Sequence, residues 1–238
     1  MPSHKMKDFS ILVHEDAVAV AIQPSPADLG NQVLYKLCTQ HFYHREPASI
    51  LAKTKLIGKA YSVALDRVKV KRHTSHDFYT TKVVPAFMRS RLDTLTLALR
   101  SKRRIRDSHV SAILKLHLYL MKLITPLTQQ NKRSFSSKYL HFHLPYLFFL
   151  YDTRALYGLA QFGIRLPKDF RMPGPRSADP AYAKFFHKCV ILQQVIQSTY
   201  DITLNPRQLD NLLLDIANRA LKTEQRNKNR ARSRTLGV

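Results

Sequence analysis

A lysine and an aspartate bracket the strongly apolar part of SFSSKYLHFHLPYLFFLYDTRALYGL, Ser134 to Leu159. Two readings of that pair stand open. In one, Lys138 and Asp152 are ordinary helix-end residues: aspartate favours the N-cap, where its carboxylate accepts from backbone amides, and a lone lysine early in a helix faces solvent or a phosphate. In the other they are a nucleophile and a carboxylate held at one site. Histidines supply further chemistry. His41/His44 and His73/His76 are each spaced by three, which suits metal ligation from one helix face, and His141/His143 form an HxH. No acidic or cysteine partner completes any of these sets at a recognisable spacing, so neither a metal site nor a cofactor is expected. On a helix His141 and His143 point to well-separated sides, one inward and hydrogen-bonded, the other exposed. In an extended segment they would share a face, and acid–base work in RNA cleavage would come within their reach.

The elements that must position these residues read as helices. Six glycines in 238 residues leave little room for a turn-rich sheet or a glycine-rich phosphate cradle. Ser25-Pro26, Glu46-Pro47, Asp179-Pro180 and Asn205-Pro206 each place a proline at a first helical position, where its missing N–H costs nothing, with Glu46 the weakest cap. From these starts the apolar spacing predicts helices near 27–43, 47–68, 76–99, 108–125, 136–143, 152–162, 180–199 and 206–222. FSILV and AVAVAI read as brief strands or an irregular arm. The expected fold class is therefore all-α: an N-terminal arm (1–24), a single helical domain (25–222) and a basic, flexible C-terminal tail (223–238).

Charge points to the partner. The chain carries 39 Lys and Arg against 16 Asp and Glu, a formal net charge of +23 that must face solvent and repel itself unless a polyanion sits nearby. Lys69, Lys71 and Arg72 follow the second helix. Arg100, Lys102, Arg103, Arg104 and Arg106 cluster between the third and fourth, and Lys132 and Arg133 abut Lys138. Nucleic acid is the expected partner, DNA ahead of RNA, and no uninterrupted apolar run reaches bilayer length. Cys38 and Cys189 are far apart and lack CxxC spacing, which suits a reducing cytoplasm, or a nucleoid if the source is bacterial. Nothing in the sequence sets an oligomeric state.

The segment from Asn131 to Phe162, with a short helix ending near Pro145 and a second opening at LYDTRALYGL, resembles the helix-hairpin-helix DNA glycosylase superfamily, in particular its 8-oxoguanine glycosylase-like branch. NPRQLDNLL, Asn205 to Leu213, is similar to the PRxhDxxL stretch before that branch's final helix. NKRSFSS stands where the family carries a glycine-bearing hairpin, and the gap from lysine to aspartate is shorter than in better-known members. The resemblance implies a DNA-binding base-excision enzyme, a glycosylase or lyase. Lys138 would be the amine that attacks the sugar C1′, and Asp152 the carboxylate that stabilises charge on the ring oxygen. Arg154 would clamp a phosphate, and Tyr139, Phe148, Phe149 and Tyr151 are available to hold the extruded base, although an aromatic run beside a proline is more often plain core. The same residues also fit a non-catalytic binder built on the same helical scaffold.

Overall fold

The computed structural model describes residues 15–24, 26–66 and 75–235, and every regular element among them is helical. The all-α expectation holds. The chain forms two compact units where the sequence suggested one domain. A central unit takes Pro24–Tyr151 and Arg171–Phe186, and a terminal unit takes the described residues up to Gln23, Asp152–Phe170 and the chain from His187 onward.

The central unit opens with α1 (Glu15–Ile22) already behind it in the chain, in the terminal unit, and begins at α2 (Pro26–Gln40), followed by α3 (Pro47–Ala60). Helix α3 stops short of the expected residue 68 because the chain turns back on itself. Ser62 adopts a positive φ of 54°, and a Cβ on Gly58 would lie 3.1 Å from the Ala64 Cα. The expected helix 76–99 is broken into three pieces: α4 (Ser75–Phe78), a π turn (Tyr79–Val83) leading into α5 (Val84–Met88), and α6 (Leu92–Leu97). Pro85 explains the π turn. It has no N–H to give the helical ladder, and the ladder widens just before it so that the Val84 N–H reaches the Tyr79 carbonyl.

Helix α7 (Asp107–Thr128) ends where Gln129 enters the left-handed region at φ 52°. Among the described residues it is the helix long and apolar enough to cross a membrane, although Lys115 and Lys122 interrupt its apolar run, and Ile113, Leu116, Leu120 and Ile124 on it are buried in the central core. Helix α8 (Arg133–His143) runs through the middle of that core, packed by α2, α3 and α7, and is buried without interruption from Phe135 to His143. His141 and His143 are accordingly both buried, not one in and one out as an amphipathic helix would have them. The His141 ring donates Nδ1–H to the Phe148 carbonyl at 2.8 Å and accepts from the Tyr35 hydroxyl at 2.5 Å, and the His143 Nδ1–H reaches the Tyr139 carbonyl at 2.8 Å while its buried Nε2 has no hydrogen-bond partner among the described residues.

In the terminal unit, AVAVAI lies within α1, so this part of the expected arm is helix and not strand, with Glu15 and Asp16 in its first turn. FSILV lies outside the described residues. Helix α9 (Thr153–Gln161) starts at an Asp152 N-cap, whose carboxylate accepts the Ala155 N–H at 2.8 Å. Helix α10 (Pro180–Tyr200) begins in the central unit, where the Asp179 carboxylate accepts the Tyr182 N–H, and its later turns belong to the terminal one. Helix α11 (Pro206–Thr235) opens with a reciprocal cap: the Asn205 side chain accepts the N–H groups of Arg207 and Gln208, and the Gln208 side chain accepts the Asn205 N–H. It then continues through the segment expected to be a flexible tail. Between Pro206 and Thr235 there is no further proline and no glycine, and the Tyr157 hydroxyl of α9 bonds Glu224 on α11.

Helices α9 and α11 cross in backbone contact at Gly158, where a Cβ would come within 2.1 Å of the Leu213 carbonyl oxygen. A side chain cannot rotate out of the way of a main-chain atom. Gly158→Ala is therefore expected to destabilise the protein by about 2–3 kcal/mol or more despite its better helix propensity, measured as a lower urea midpoint.

Candidate nucleic-acid interface

The loop between α2 and α3 builds the site. From Phe42 to Arg45 the chain is non-helical and alternates sides: Phe42 and His44 are buried, Tyr43 and Arg45 exposed. Its inner side chains are pinned by a buried relay. Both oxygens of Asp93, on α6, accept the His44 N–H at 3.0 and 3.1 Å, and Oδ1 lies 2.6 Å from His44 Nδ1. A carboxylate only accepts, so Nδ1 carries the proton; Nε2 is then the acceptor, and the Tyr139 hydroxyl donates to it at 2.7 Å. Lys53, fully buried on α3, donates to the carbonyls of His41 and Tyr43 at 2.6 and 3.2 Å and fixes the loop from beneath.

Electrostatics keep this relay in one protonation state. Burial pulls His44 below its ordinary value, outweighing the raising pull of Asp93. Burial also acts to raise the Asp93 carboxyl, but the bonds from the His44 ring and backbone and the Lys53 charge hold it below its usual range. Burial brings Lys53 down to about 8 and pushes the neighbouring Cys38 thiol up to about 12. Tyr139, fully buried, is held well above its ordinary value. The result is a carboxylate, a neutral imidazole and a neutral phenol in series.

Three guanidinium groups lie on aromatic rings across the outside of this unit. Arg45 sits 4.8 Å from the centroid of Tyr43, Arg100 4.4 Å from Phe42 and Arg103 5.6 Å from Tyr146. Phe42 and Tyr43 meet edge to face, and Arg103 donates to the Arg100 carbonyl, so the three arginine–ring pairs are linked to one another. Tyr43 and Tyr146 are 37% and 40% exposed, enough to offer ring surface to a ligand. Between Tyr43, Arg45 and α6 lies an open pocket of about 390 Å³ lined also by Asp93, Thr94, Leu97 and Ala98.

The residues singled out from the sequence fare unevenly. Lys138 is 1% exposed and its amine donates to the Ser134 hydroxyl at 3.0 Å and the Tyr151 carbonyl at 2.9 Å, joining the start of α8 to the chain that follows it. Asp152, in the other unit, caps α9, and Arg154 beside it is exposed. Arg133 is committed to a two-pronged ion pair with Asp179, and the Lys132 amine reaches the Ala64 carbonyl at 3.3 Å. Arg103, Arg104 and Arg106 are exposed and Lys102 partly so. Lys69, Lys71 and Arg72, with His73, lie outside the described residues. Tyr139, Phe148 and Phe149 are fully buried and pack the core, as burial tendency favours over a base pocket; Tyr151 is half-buried against Phe185. Among the described residues no cluster of three or more His, Cys, Asp or Glu is placed to hold a metal ion. Tyr43, Arg45, Asp93 and Tyr146 are not singled out by the sequence, whereas Arg100 belongs to the basic cluster that is. One signal is available, since HFYHRE, His41 to Glu46, sets two aromatic residues among basic ones between two helices. Comparison with models of known protein families, with curated proteins and with solved structures finds no match.

Two measurements follow from the buried groups. Tyr139→Phe strips His44 Nε2 of its donor in a dry core and is expected to cost about 1–3 kcal/mol in urea unfolding. His117 stacks on Tyr182 at 3.6 Å and donates Nε2–H to the Arg133 carbonyl, and burial holds it down at about 3. The unfolded chain takes up this proton near pH 6.5 and the folded chain does not, so stability is full above that pH and falls on acidification towards pH 3. His117→Phe should flatten the decline between pH 6 and 4 by about 1.4 kcal/mol per pH unit, read from urea midpoints across that range.

Proposed function

We propose that this protein binds nucleic acid without covalent chemistry, through the arginine-on-aromatic face of its central unit. The observation that carries this reading is the chain of three guanidinium–ring stacks, Arg45 on Tyr43, Arg100 on Phe42 and Arg103 on Tyr146, in a chain of net charge +23. A guanidinium held flat on a ring keeps outward N–H groups for phosphate oxygens, and an exposed tyrosine presents a face on which a base can stack. Lys102, Arg104 and Arg106 extend the same positive field, which gives affinity that falls steeply with salt.

A base-excision role for Lys138 and Asp152 is the second reading, and it rests on the sequence resemblance. It requires a lysine amine that reaches a sugar, whereas the amine of Lys138 serves as a buried tie between Ser134 and Tyr151.

The experiment is a salt titration of binding to DNA and RNA oligonucleotides, single-stranded and duplex. Replacing Arg45, Arg100 and Arg103 together by Gln is expected to weaken binding at least tenfold and to lower the slope of log K against log salt by about 2–3. Arg165→Gln, in the terminal unit, should leave both nearly unchanged. Borohydride treatment with abasic or 8-oxoguanine duplexes should yield no adduct. A covalent adduct lost in Lys138→Gln would overturn the non-catalytic reading in favour of the glycosylase-like one.

A further inference from the structure

The pocket beside Tyr43 has a chemistry that the proposed function does not use. Its walls are an exposed tyrosine ring and the apolar Leu97 and Ala98; its polar groups are the Arg45 guanidinium, the Thr94 hydroxyl and the Asp93 carboxylate. Its volume, about 390 Å³, falls within the range of small-ligand sites, about 300–1,000 Å³. A flat ring on the tyrosine, a cation for a phosphate and one fixed carboxylate are the parts of a site for a single unstacked nucleotide.

The carboxylate selects among bases. Asp93 lines the pocket and is 27% exposed at its side chain; its Oδ1 accepts from the His44 ring and N–H, while Oδ2 shares only that N–H and keeps acceptor capacity. The buried His44–Tyr139 pair behind it prevents it from turning away. An ionised carboxylate accepts and cannot donate, so it favours a base edge with neighbouring donors and repels one on which donors alternate with acceptors. Adenine places its amine beside the N1 acceptor, cytosine its amine beside N3, and thymine or uracil its one N–H between two carbonyls. Guanine alone offers N1–H and the N2 amine side by side.

Resting on the nucleic-acid-binding reading, we propose that the Tyr43–Arg45–Asp93 pocket takes one unstacked guanine of a single strand, its ring on Tyr43, its N1–H and N2 amine on Asp93 and its phosphate on Arg45. The protein would then prefer single-stranded or looped segments that expose a guanine over uniform duplex.

The test uses the full chain and fluorescein-labelled ten-residue oligothymidylates that carry one central guanine, inosine, adenine, cytosine or thymine, with binding read by anisotropy; ribose versions of the probes distinguish RNA from DNA as the source. The guanine probe is expected to bind about tenfold tighter than the thymine probe, with inosine, which lacks the N2 amine, in between. Asp93→Asn should erase the preference, bringing the guanine probe to the affinity of the thymine probe measured on the same variant. Because Asp93 also anchors His44, a second measurement needs no variant: GMP should displace the guanine probe from the wild type at lower concentration than AMP or CMP. Equal binding of all five probes, salt-sensitive in every case, would overturn the guanine pocket and leave the basic surface standing. A preference for adenine or cytosine would overturn it as well. No binding of any probe, single-stranded or duplex, would instead remove the reading on which it rests.

Discussion

The central unit depends on keeping one polar chain complete, from Asp93 at the surface pocket to the buried His44 and Tyr139. Asp93, His44 and Tyr139 come from three separate segments, and each closes the hydrogen-bonding need of the next. A buried polar group without a partner costs about 1–3 kcal/mol, so the relay is stable only when all three segments are seated together. Seating them has a consequence on the outside. Because the loop from Phe42 to Arg45 alternates, drawing Phe42 and His44 inward drives Tyr43 and Arg45 outward, and the surface pocket is the reverse side of a core requirement. Lys53 completes the arrangement by holding the His41 and Tyr43 carbonyls, at the cost of burying an ammonium that burial brings down to about 8.

A second tie has the same character. Arg133 at the start of α8 pairs with Asp179, and Asp179 in turn caps α10 through the Tyr182 N–H. Burial acts to raise the Asp179 carboxyl, but the Arg133 bonds outweigh it and hold the group below its usual range. Tyr182 stacks on His117 and gives its hydroxyl to the Phe149 carbonyl, so one ion pair fixes α7, α8 and the chain around Phe149 in register. In a protein with so few acidic residues, Asp93 and Asp179 are placed where they hold structure. The basic excess is left at the surface, where stacking on aromatic rings keeps several guanidinium groups ordered while their N–H edges stay available.

The fold was legible in the sequence wherever local chemistry decides. Proline at a first helical position marked α2, α3, α10 and α11, and Asp152 declared the start of α9; each is a contact over a few residues that a reader of the chain can see. The failures are non-local or competitive. AVAVAI has β-branched residues in alternation, yet the acidic start of α1 and its packing against α11 make it helix. The region 76–99 has continuous apolar periodicity, and Pro85 breaks it through an N–H that is missing, which periodicity does not register. His141 and His143 were split between faces on the premise that α8 is amphipathic, and a helix surrounded by α2, α3 and α7 has no outer face to give them. The site was the least legible part, because His44 and Asp93 are 49 residues apart and Tyr139 is 95 from His44. No spacing rule links them.

Lys138 shows how one pattern serves two ends. A lysine followed by aromatic residues, a proline and a capping aspartate is what a nucleophile in an apolar pocket would look like along the chain, and it is also what a buried structural tie looks like. The distinction lies in what the amine faces. Here Ser134 and the Tyr151 carbonyl receive two of its N–H groups, and the ring of Tyr61 lies 5.6 Å away. An ammonium so placed gains charge-assisted bonds that offset its desolvation, and it locks the start of α8 to the strand of chain leaving its end. That lock holds Tyr139, one turn further along α8 than Phe135, at the depth where its hydroxyl meets His44. The residue that most resembles a catalyst in the sequence thus acts on the surface pocket through the core, by fixing the helix that carries the last member of the relay.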